Sequence, residues 1–293
     1  MRRFLLNKRL LSGIAGAIVL AWPLVAFLQS GKPELPPLHE EPQAPVGVPT
    51  VEMIERLMVV QLESAGGWVP NDLPLSPSYV LDNLPNFQLG VLQVVRHASR
   101  VLRDNLTRQR TSDAVHSDTD TAYSAYANDP YRWAFPSAEG AFSRGNAALE
   151  HFKGELGAAA NFYPRADNLV QLLEPFVSEL GAVTTLLLEA GDSGKVSWFD
   201  IDDNFYYAQG VGFALLGLVQ AMQQDFRRVL EDKNAVEITG LIVASLRESQ
   251  FEPWIVTNGS KGGLLANHSS NLKAFLDDAR QKMNSLITIL KQG

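Results

Sequence analysis

The residues best suited to chemistry lie in an acidic stretch that precedes a long apolar segment. Asp200, Asp202 and Asp203 follow Trp198 and Phe199, and alternating carboxylates can bind a hard cation. Their spacing does not fit the EF-hand loop, which needs a glycine at its sixth position and a glutamate at its twelfth. We therefore expect these acids to cap the following helix, where negative charge is favoured, and keep metal binding as the alternative.

Motifs for other reactions are weak or missing. The chain has no cysteine, which excludes disulfides, thiolate metal sites and a cysteine nucleophile. Its histidines are His39, His97, His116, His151 and His268. They form neither an H-x-x-x-H pair nor an H-E-x-x-H zinc motif, and there is no G-x-S-x-G nucleophile elbow. Glu139 and Asp200 stay open as a carboxylate pair for glycoside cleavage. The sequence favours a protein without catalytic residues, cofactor or metal.

Two further segments have weak ligand-binding interpretations. Residues 258–263 read NGSKGG, but a phosphate-binding P-loop needs a longer order between a strand and a helix, so we predict a flexible turn. Trp198 and Trp254 are candidates for surface or ligand contacts. An apolar cavity that combined them with Phe205 and Tyr206 would favour lipid or small-molecule binding, whereas a packed core would exclude it.

An uncharged segment of nineteen residues, 10–28, predicts a transmembrane anchor. Its length as a helix, roughly 28 Å, matches the hydrocarbon core of a bilayer. Phe27, Leu28 and Gln29 stand where a cleaved signal would carry small residues, which favours a retained anchor over a cleaved signal. Four basic residues precede the segment, so residues 1–9 are predicted to be a cytoplasmic tail and the rest to be exported. In a bacterium with two membranes, this places the domain in the periplasm.

The charge distribution excludes some partners. The net charge is −7, and because the first nine residues carry four basic side chains and no acidic ones, the remainder carries −11. Nucleic-acid binding depends on Lys and Arg, so an acidic body argues against it. The same charge argues against electrostatic docking on anionic lipids.

Residues 29–49 form a proline-rich linker, with six prolines between positions 31 and 49. Proline blocks helices, so this segment is predicted to be an extended, semi-rigid spacer that spans roughly 60 Å when fully stretched.

Helical periodicity dominates residues 50–293, which are predicted to form one all-α domain. Thr50 is the expected N-cap of the first helix, and Val51, Ile54, Leu57 and Met58 mark its buried face. We expect a bundle of about six to seven helices. The predicted ranges are about 50–66, 78 or 85–110, 137–160, 164–190, 204–231, 235–249 and 265–291, with a helical turn at 122–127. The apolar stretch 205–222 is interpreted as a buried core helix, with a second membrane span as the alternative.

The sequence of the second half of the domain resembles that of the first at an offset of roughly 120–128 residues. Gly90-Val91-Leu92-Gln93, for example, resembles Gly217-Leu218-Val219-Gln220. This predicts an internal duplication with repeats 50–163 and 164–293. Chance similarity between amphipathic helices stays the alternative.

The segments YANDPYRWAFPSAEGAFSRGNAAL (126–149) and SWFDIDDNFYYAQGVGFALL (197–216), with the anchor and the linker, carry a family resemblance. The chain resembles a proteobacterial family of single-pass inner-membrane proteins classed as a domain of unknown function. The resemblance implies a location and supplies no catalytic residues.

The sequence as a whole predicts a membrane-anchored periplasmic helical scaffold that is attached through residues 10–28 and binds another envelope protein. One alternative is an envelope enzyme acting on cell-wall glycan or lipid. The other is a lipid or small-molecule binding module.

Overall fold

Helices make up the fold, as the periodicity predicts. The computed structural model describes residues 21–38, 41, 43–74, 76–110, 112–191, 201–259 and 265–292, and residues 21–29 are helical (α1). The helices that follow are α2 (Val48–Glu63), α3 (Asn83–Val101), α4 (Ser117–Tyr126), α5 (Ala138–Glu155), α6 (Ala166–Gly191), α7 (Ile201–Asp225), α8 (Arg227–Asp232), α9 (Val236–Glu248) and α10 (His268–Lys291). Short 3-10 helices cover Val69–Asn71 and Pro77–Val80, and a π-helix covers Leu102–Leu106. No strand occurs among the described residues, so the all-α prediction is confirmed.

Several helix boundaries differ from the predicted ones. Helix α2 begins at Val48, so Thr50 lies inside the first turn instead of capping it. The backbone N–H and the side-chain hydroxyl of Thr50 both donate to the carboxylate of Asp225 at the end of α7. The predicted helix 204–231 is divided into α7 and α8 at Phe226, and the predicted turn at 122–127 is part of the ten-residue helix α4.

Helices α3 and α7 cross at the centre of the domain, and two glycines allow their backbones to meet. A Cβ atom at Gly90 of α3 would collide with the carbonyl oxygen of Tyr207, and one at Gly210 of α7 would collide with that of Phe87. The two close approaches are reciprocal, because each glycine lies three residues after the carbonyl that the other one meets. A side chain at either glycine would force the helices apart.

The helix contacts follow the same order in both halves of the domain. In the first half α2 contacts α3 and α5, and α4 contacts α3 and α5. In the second half α6 contacts α7 and α10, and α9 contacts α7 and α10. Helix α8 has no counterpart. This order is the one expected for repeats 50–163 and 164–293, and the duplication itself stays a prediction. At the crossing, Gly90 is paired with Gly210 and not with Gly217.

Helix α7 is the described helix whose length and composition would allow it to span a membrane. Its apolar window has a mean hydropathy of 1.2 and is 83 % buried within the domain. The aromatic ring of Phe213, for example, packs edge-on against that of Phe87, with 5.1 Å between the centroids. Burial by protein on nearly every side favours the core-helix interpretation.

The described part of the proline-rich linker packs on the domain, which differs from the free spacer predicted for residues 29–49. Lys32 donates to Gln209 of α7, Pro36 is buried, and Leu35 packs beside Gly217. Prolines keep the segment extended, but apolar residues between them bind it to the helices.

Candidate functional site

The end of helix α1 meets the domain beside two loops. A Cβ atom at Gly66 would lie 2.8 Å from the carbonyl oxygen of Gln29. Ala26, one turn earlier in α1, is only 5 % exposed. Lys32 contacts the domain three residues after Gln29, so at most about 11 Å of chain separates the two contacts. The exit of α1 is therefore integrated into the domain surface.

The first loop, residues 127–137, connects α4 to α5 and carries exposed aromatic rings. Two hydrogen bonds fix the backbone of this loop to the domain. The Trp68 indole N–H donates to the carbonyl of Pro130 at 2.8 Å, and the Asn71 amide donates to that of Arg132 at 3.0 Å. Trp133 is exposed and Phe135 is 97 % exposed. Rings that face solvent on a fixed backbone form a candidate contact surface. We call residues 127–137 the first aromatic loop.

The second loop, residues 249–259, follows α9 and has the same character. The side-chain amide of Gln209 donates to the carbonyl of Phe251 at 2.7 Å, and Lys32 forms an ion pair with Glu252 at 3.0 Å. Trp254 is fully exposed and Ile255 is largely exposed. We call residues 249–259 the second aromatic loop. Trp68 and Asn71 closely follow Gly66 in the chain, and Lys32 reaches Glu252, so each aromatic loop is linked to the exit of α1.

Lys32 fixes the start of the linker between α3 and α7. Its ammonium group donates to Gln209 at 2.7 Å and lies 5.6 Å from the ring centroid of Phe87 and 5.4 Å from that of Tyr206. Such distances allow cation–π attraction. Burial lowers the pKa of Lys32, an effect that the hydrogen bond and charge of Glu252 partly offset.

A polar cleft of about 500 Å³ lies between α3 and α6. Its lining residues are His97, Arg100, Val101, Asp104, Asn105, Gln171, Glu174, Pro175 and Ser178. Both walls are irregular, because the π-helix follows α3 here and Pro175 interrupts the hydrogen bonds of α6. π-Helical turns are frequent at functional sites.

A partly buried carboxylate borders this cleft. Glu179 Oε2 lies 3.3 Å from His97 Nε2, and Glu179 Oε1 accepts a hydrogen bond from the Tyr207 hydroxyl at 3.0 Å. Burial raises the pKa of Glu179, but the hydrogen bonds from His97 and Tyr207 outweigh it, so the net pKa is lowered. Burial and the neighbouring carboxylate raise the pKa of Tyr207, which stays a donor. The pair of His97 and Glu179 has the composition of an acid–base pair.

A second cluster of ionisable groups lies at the start of α4 and the end of α5. It consists of His116, Asp118, His151 and Glu155. His151 Nδ1 is 2.7 Å from Asp118 Oδ2, and His116 Nε2 is 3.2 Å from Glu155 Oε2. The hydrogen bond and charge of Asp118 raise the pKa of His151.

The structure separates most of the residues that the sequence singled out. Asp200 and Trp198 lie outside the described residues. Asp202 and Asp203 occupy the first turn of α7, and Asp203 accepts from the amide of Asn86 at 2.6 Å. This position suits the helix dipole, as expected for acids that cap the helix, and metal binding there stays the alternative.

The other candidates also lie apart. Trp254 is on the exposed second aromatic loop, whereas Phe205 is fully buried and packs edge-on against Phe251, with 5.7 Å between the ring centroids. The cavity that would have combined Trp254 with Phe205 is therefore not formed. Glu139 accepts from Asn71 at 2.9 Å, and its pairing with Asp200 stays a prediction. Of the NGSKGG segment only Asn258 and Gly259 are described, and the Asn258 side chain accepts from the Ser269 backbone N–H.

Neither ionisable cluster was predicted from the sequence. His97 and Glu179 come from different halves of the chain, and no local pattern connects them. The pair His151 and Glu155 has helical i, i+4 spacing, which is visible in the sequence and would have indicated a shared helix face.

These features define an all-helical protein with two aromatic loops at one surface and ionisable clusters elsewhere. A family model described as an uncharacterized protein conserved in bacteria (DUF2333) matches residues 28–194 and 188–293. The chain therefore belongs to this family, which confirms the resemblance to a domain-of-unknown-function family. No curated protein and no solved structure shows significant similarity to the chain.

Proposed function

We propose that this chain is a bacterial envelope protein that is anchored in the inner membrane by residues 10–28 and holds its periplasmic domain against the membrane surface. The observation that carries the proposal is the integration of the α1 exit into the domain. Gln29 contacts Gly66, Lys32 binds Gln209, and Pro36 is buried. With the linker packed on the helices, no free spacer separates the domain from the end of the anchor.

The two aromatic loops support direct contact with the bilayer. They are both linked to the exit of α1 and expose Trp133, Phe135, Trp254 and Ile255. Tryptophan favours the membrane–water interface, and exposed apolar side chains gain free energy by entering it. The acidic body excludes electrostatic attraction to anionic lipids as the cause. We therefore expect the contact to be insensitive to salt.

Spin-label depth measurements test this contact, and the absence of native cysteine makes single-cysteine labelling specific. The full chain is reconstituted in lipid vesicles as the variants Phe135→Cys and Ile255→Cys. Val236→Cys is the matched control, because Val236 is also exposed but lies at the start of α9, about 18 Å from the end that leads to Ile255. Labels at 135 and 255 should be accessible to oxygen and protected from a water-soluble nickel chelate, whereas a label at 236 should show the reverse.

Two outcomes would contradict the membrane contact. Labels at 135 and 255 that the nickel chelate reaches as easily as a label at 236 would mean that the loops face water. Labels protected from both reagents would mean that protein covers them. A membrane-impermeant maleimide that fails to reach position 236 in intact spheroplasts would contradict the periplasmic topology.

The role we propose for a domain held in this way is a non-catalytic scaffold that positions other envelope proteins at the membrane. A photoreactive residue placed within 191–203 and activated in intact cells tests this role. One dominant crosslinked protein would support it. Crosslinks to glycan or lipid, or none, would argue against it.

The second candidate function is an envelope enzyme acting on cell-wall glycan or lipid, and the cleft beside His97 and Glu179 favours it. Incubation of the full chain with cell-wall fragments, followed by mass spectrometry of the products, tests this candidate. Turnover that His97→Gln abolishes would support it, provided that the variant keeps its thermal stability. No turnover, or turnover that the variant retains, would argue against it.

A further inference from the structure

The ionisable cluster of α4 and α5 is far from the aromatic loops. His116 and Asp118 are at the start of α4, and His151 and Glu155 are near the end of α5. The first aromatic loop joins the opposite ends of these two helices. Because the ten residues of α4 rise about 15 Å, and His151 and Glu155 lie about 20–26 Å along α5, the cluster lies roughly 15–25 Å from the loop. It is therefore a separate feature with no part in the proposed membrane contact.

The atoms of the cluster converge as metal ligands do. His116 Nε2 lies 3.2 Å from Glu155 Oε2, and His151 Nδ1 lies 2.7 Å from Asp118 Oδ2 and 4.0 Å from Glu155 Oε2. One ligand atom each from His116, Asp118 and Glu155 fall within 4.8 Å of one another. Ligand atoms around a tetrahedral zinc ion are separated by roughly 3.3 Å, given bond lengths of about 2.0–2.1 Å. Small side-chain movements would bring His116, Asp118 and Glu155 to this spacing, and His151, which lies at hydrogen-bond distance from Asp118, would have to move slightly away from it to join them.

We infer that His116, Asp118, His151 and Glu155 form a binding site for a divalent transition-metal ion of the zinc type. Two imidazoles and two carboxylates suit zinc, whereas calcium and magnesium prefer sets made of oxygen alone. The two carboxylates balance the charge of a divalent cation when both histidines are neutral.

The cluster is held in place before any ion binds. The His116 ring packs edge-on against the Phe152 ring, with 4.9 Å between the centroids, and His116 Nδ1 accepts from the Asp118 backbone N–H at 3.3 Å. His151 and Glu155 share one face of α5 because they are four residues apart. Metal binding through His116 Nε2 would place the ring proton on Nδ1, so the contact with the Asp118 backbone N–H belongs to the metal-free state alone.

The neighbouring cations leave the site open to an ion. Arg103 pairs with Asp104 and Asp120, and Lys153 pairs with Glu55 and Glu150. These cations are thus matched by carboxylates outside the cluster. His151 is 68 % exposed, so an ion can enter from solvent on that side. A bound ion would tie the start of α4 to the end of α5.

Cobalt spectroscopy and zinc titration of the full chain in detergent, without a histidine tag, test the site. The chain has no thiol to bind either metal elsewhere. We expect one equivalent of Co²⁺ to produce the visible absorption of a tetrahedral site, and Zn²⁺ to displace it. The variants His151→Ala and Glu155→Gln should each weaken zinc binding at least about 10- to 100-fold. Zinc should also raise the melting temperature of the wild type and leave that of His151→Ala nearly unchanged.

Glu150→Gln is the matched control, because Glu150 is an exposed acid on the same helix outside the cluster. It should bind zinc like the wild type. Zinc binding that is equal in the wild type and in His151→Ala, or that Glu150→Gln weakens as much, would identify general surface carboxylates and overturn the inference. No binding by a wild type that is folded by circular dichroism would overturn it as well.

Discussion

The helices of residues 48–155 contact one another in the same order as the helices of residues 166–291, but the two sets begin differently. The start of α2 is held by a side chain, since Asp225 accepts from the backbone N–H groups of Gly47 at 2.6 Å and Thr50 at 2.8 Å. Within the described ranges, the start of α6 has no such long-range carboxylate contact: the N–H of Tyr163 donates to the carbonyl of Leu106 at 2.8 Å, and the Arg165 guanidinium donates to that of Gln109 at 3.2 Å. The two halves contribute in the same way to the crossing of α3 and α7, whereas different contacts hold the starts of α2 and α6.

The same comparison explains why the groove that corresponds to the polar cleft is filled in the other half. The contact of α3 with α6 corresponds to that of α7 with α2, and His97 lies 120 positions before Gly217. At Gly217 the space is taken by Met53 and by Leu35 of the linker. The linker therefore fills one groove with apolar side chains and leaves its counterpart open to polar residues. We propose that the halves arose by duplication and that their sites formed where the symmetry is broken.

The glycine crossing gives the largest expected effect. Gly90→Ala and Gly210→Ala should each lower the free energy of unfolding by about 3 kcal/mol, because the added Cβ atom would clash with backbone atoms of the facing helix, which cannot change rotamer as a side chain can. Urea unfolding of the full chain in detergent measures this. Gly154→Ala and Gly240→Ala are controls, one in each half, with open space at the Cβ position. They should be neutral or stabilising by up to about 1 kcal/mol. Similar losses at all four positions would contradict the proposed crossing.

The different contacts at the starts of α2 and α6 predict that substitutions there lower the free energy of unfolding by different amounts. Asp225→Asn should cost about 2 kcal/mol, because a neutral amide accepts the Gly47 and Thr50 hydrogen bonds less well and adds donors that the site does not need. The exposed Asp167 in the first turn of α6 is the control, and Asp167→Asn should change stability by less than about 0.5 kcal/mol. Equal losses would mean that the two helix starts are held alike.

The polar cleft predicts a pH-dependent effect. Glu179→Gln should cost about 1–2 kcal/mol at pH 7, because it weakens the hydrogen bonds with His97 and Tyr207. The folded state lowers the pKa of Glu179, so its contribution is present above the unfolded value of about 4.3 and is lost as the pH falls through the folded value. The difference between wild type and variant should therefore shrink below about pH 4. Unfolding curves from pH 7 to pH 3 measure this, and a constant difference would contradict it.

The aromatic loops predict the smallest effect on stability. Trp133→Ser and Trp254→Ser should each change the free energy of unfolding by less than about 0.5 kcal/mol, because both rings face outward. Trp68→Phe is the contrast, since Trp68 is buried and loses its hydrogen bond to Pro130, at a cost of about 1 kcal/mol. Thermal unfolding in detergent compares the three variants. A large loss at Trp133 or Trp254 would assign these rings to the fold and not to a contact surface.

Local pattern predicted the helices well and their interruptions poorly. Val51, Ile54, Leu57 and Met58 follow the helical period, and all four are fully buried. Thr50 has a residue type that suits an N-cap, but the acceptor at the start of α2 comes from Asp225, far along the chain. The π-helix at Leu102–Leu106 likewise follows α3 without a proline or glycine in its sequence. Such features depend on what packs against a helix, and local sequence does not contain that information.

The candidate sites were less predictable than the fold. Trp254 and Phe205 were predicted from the sequence as possible lining residues of one cavity, yet Trp254 lies on the surface and Phe205 lies in the core. The pair of His97 and Glu179 joins α3 to α6, and the cluster of His116 and Glu155 joins α4 to α5. Each pair became visible only when two helices were placed side by side.

By itself, the sequence determined that this protein is all-α and cysteine-free, because periodicity, hydropathy and composition are properties of a segment and need no partner. The same information predicts the anchor at residues 10–28. The tertiary structure decided that the linker packs on the domain, that two aromatic loops are linked to the exit of α1, and which ionisable groups meet. Contacts between distant segments form when the burial of apolar surface over the whole domain outweighs the entropy cost of ordering the chain. The sequence of a single segment does not determine that free-energy difference.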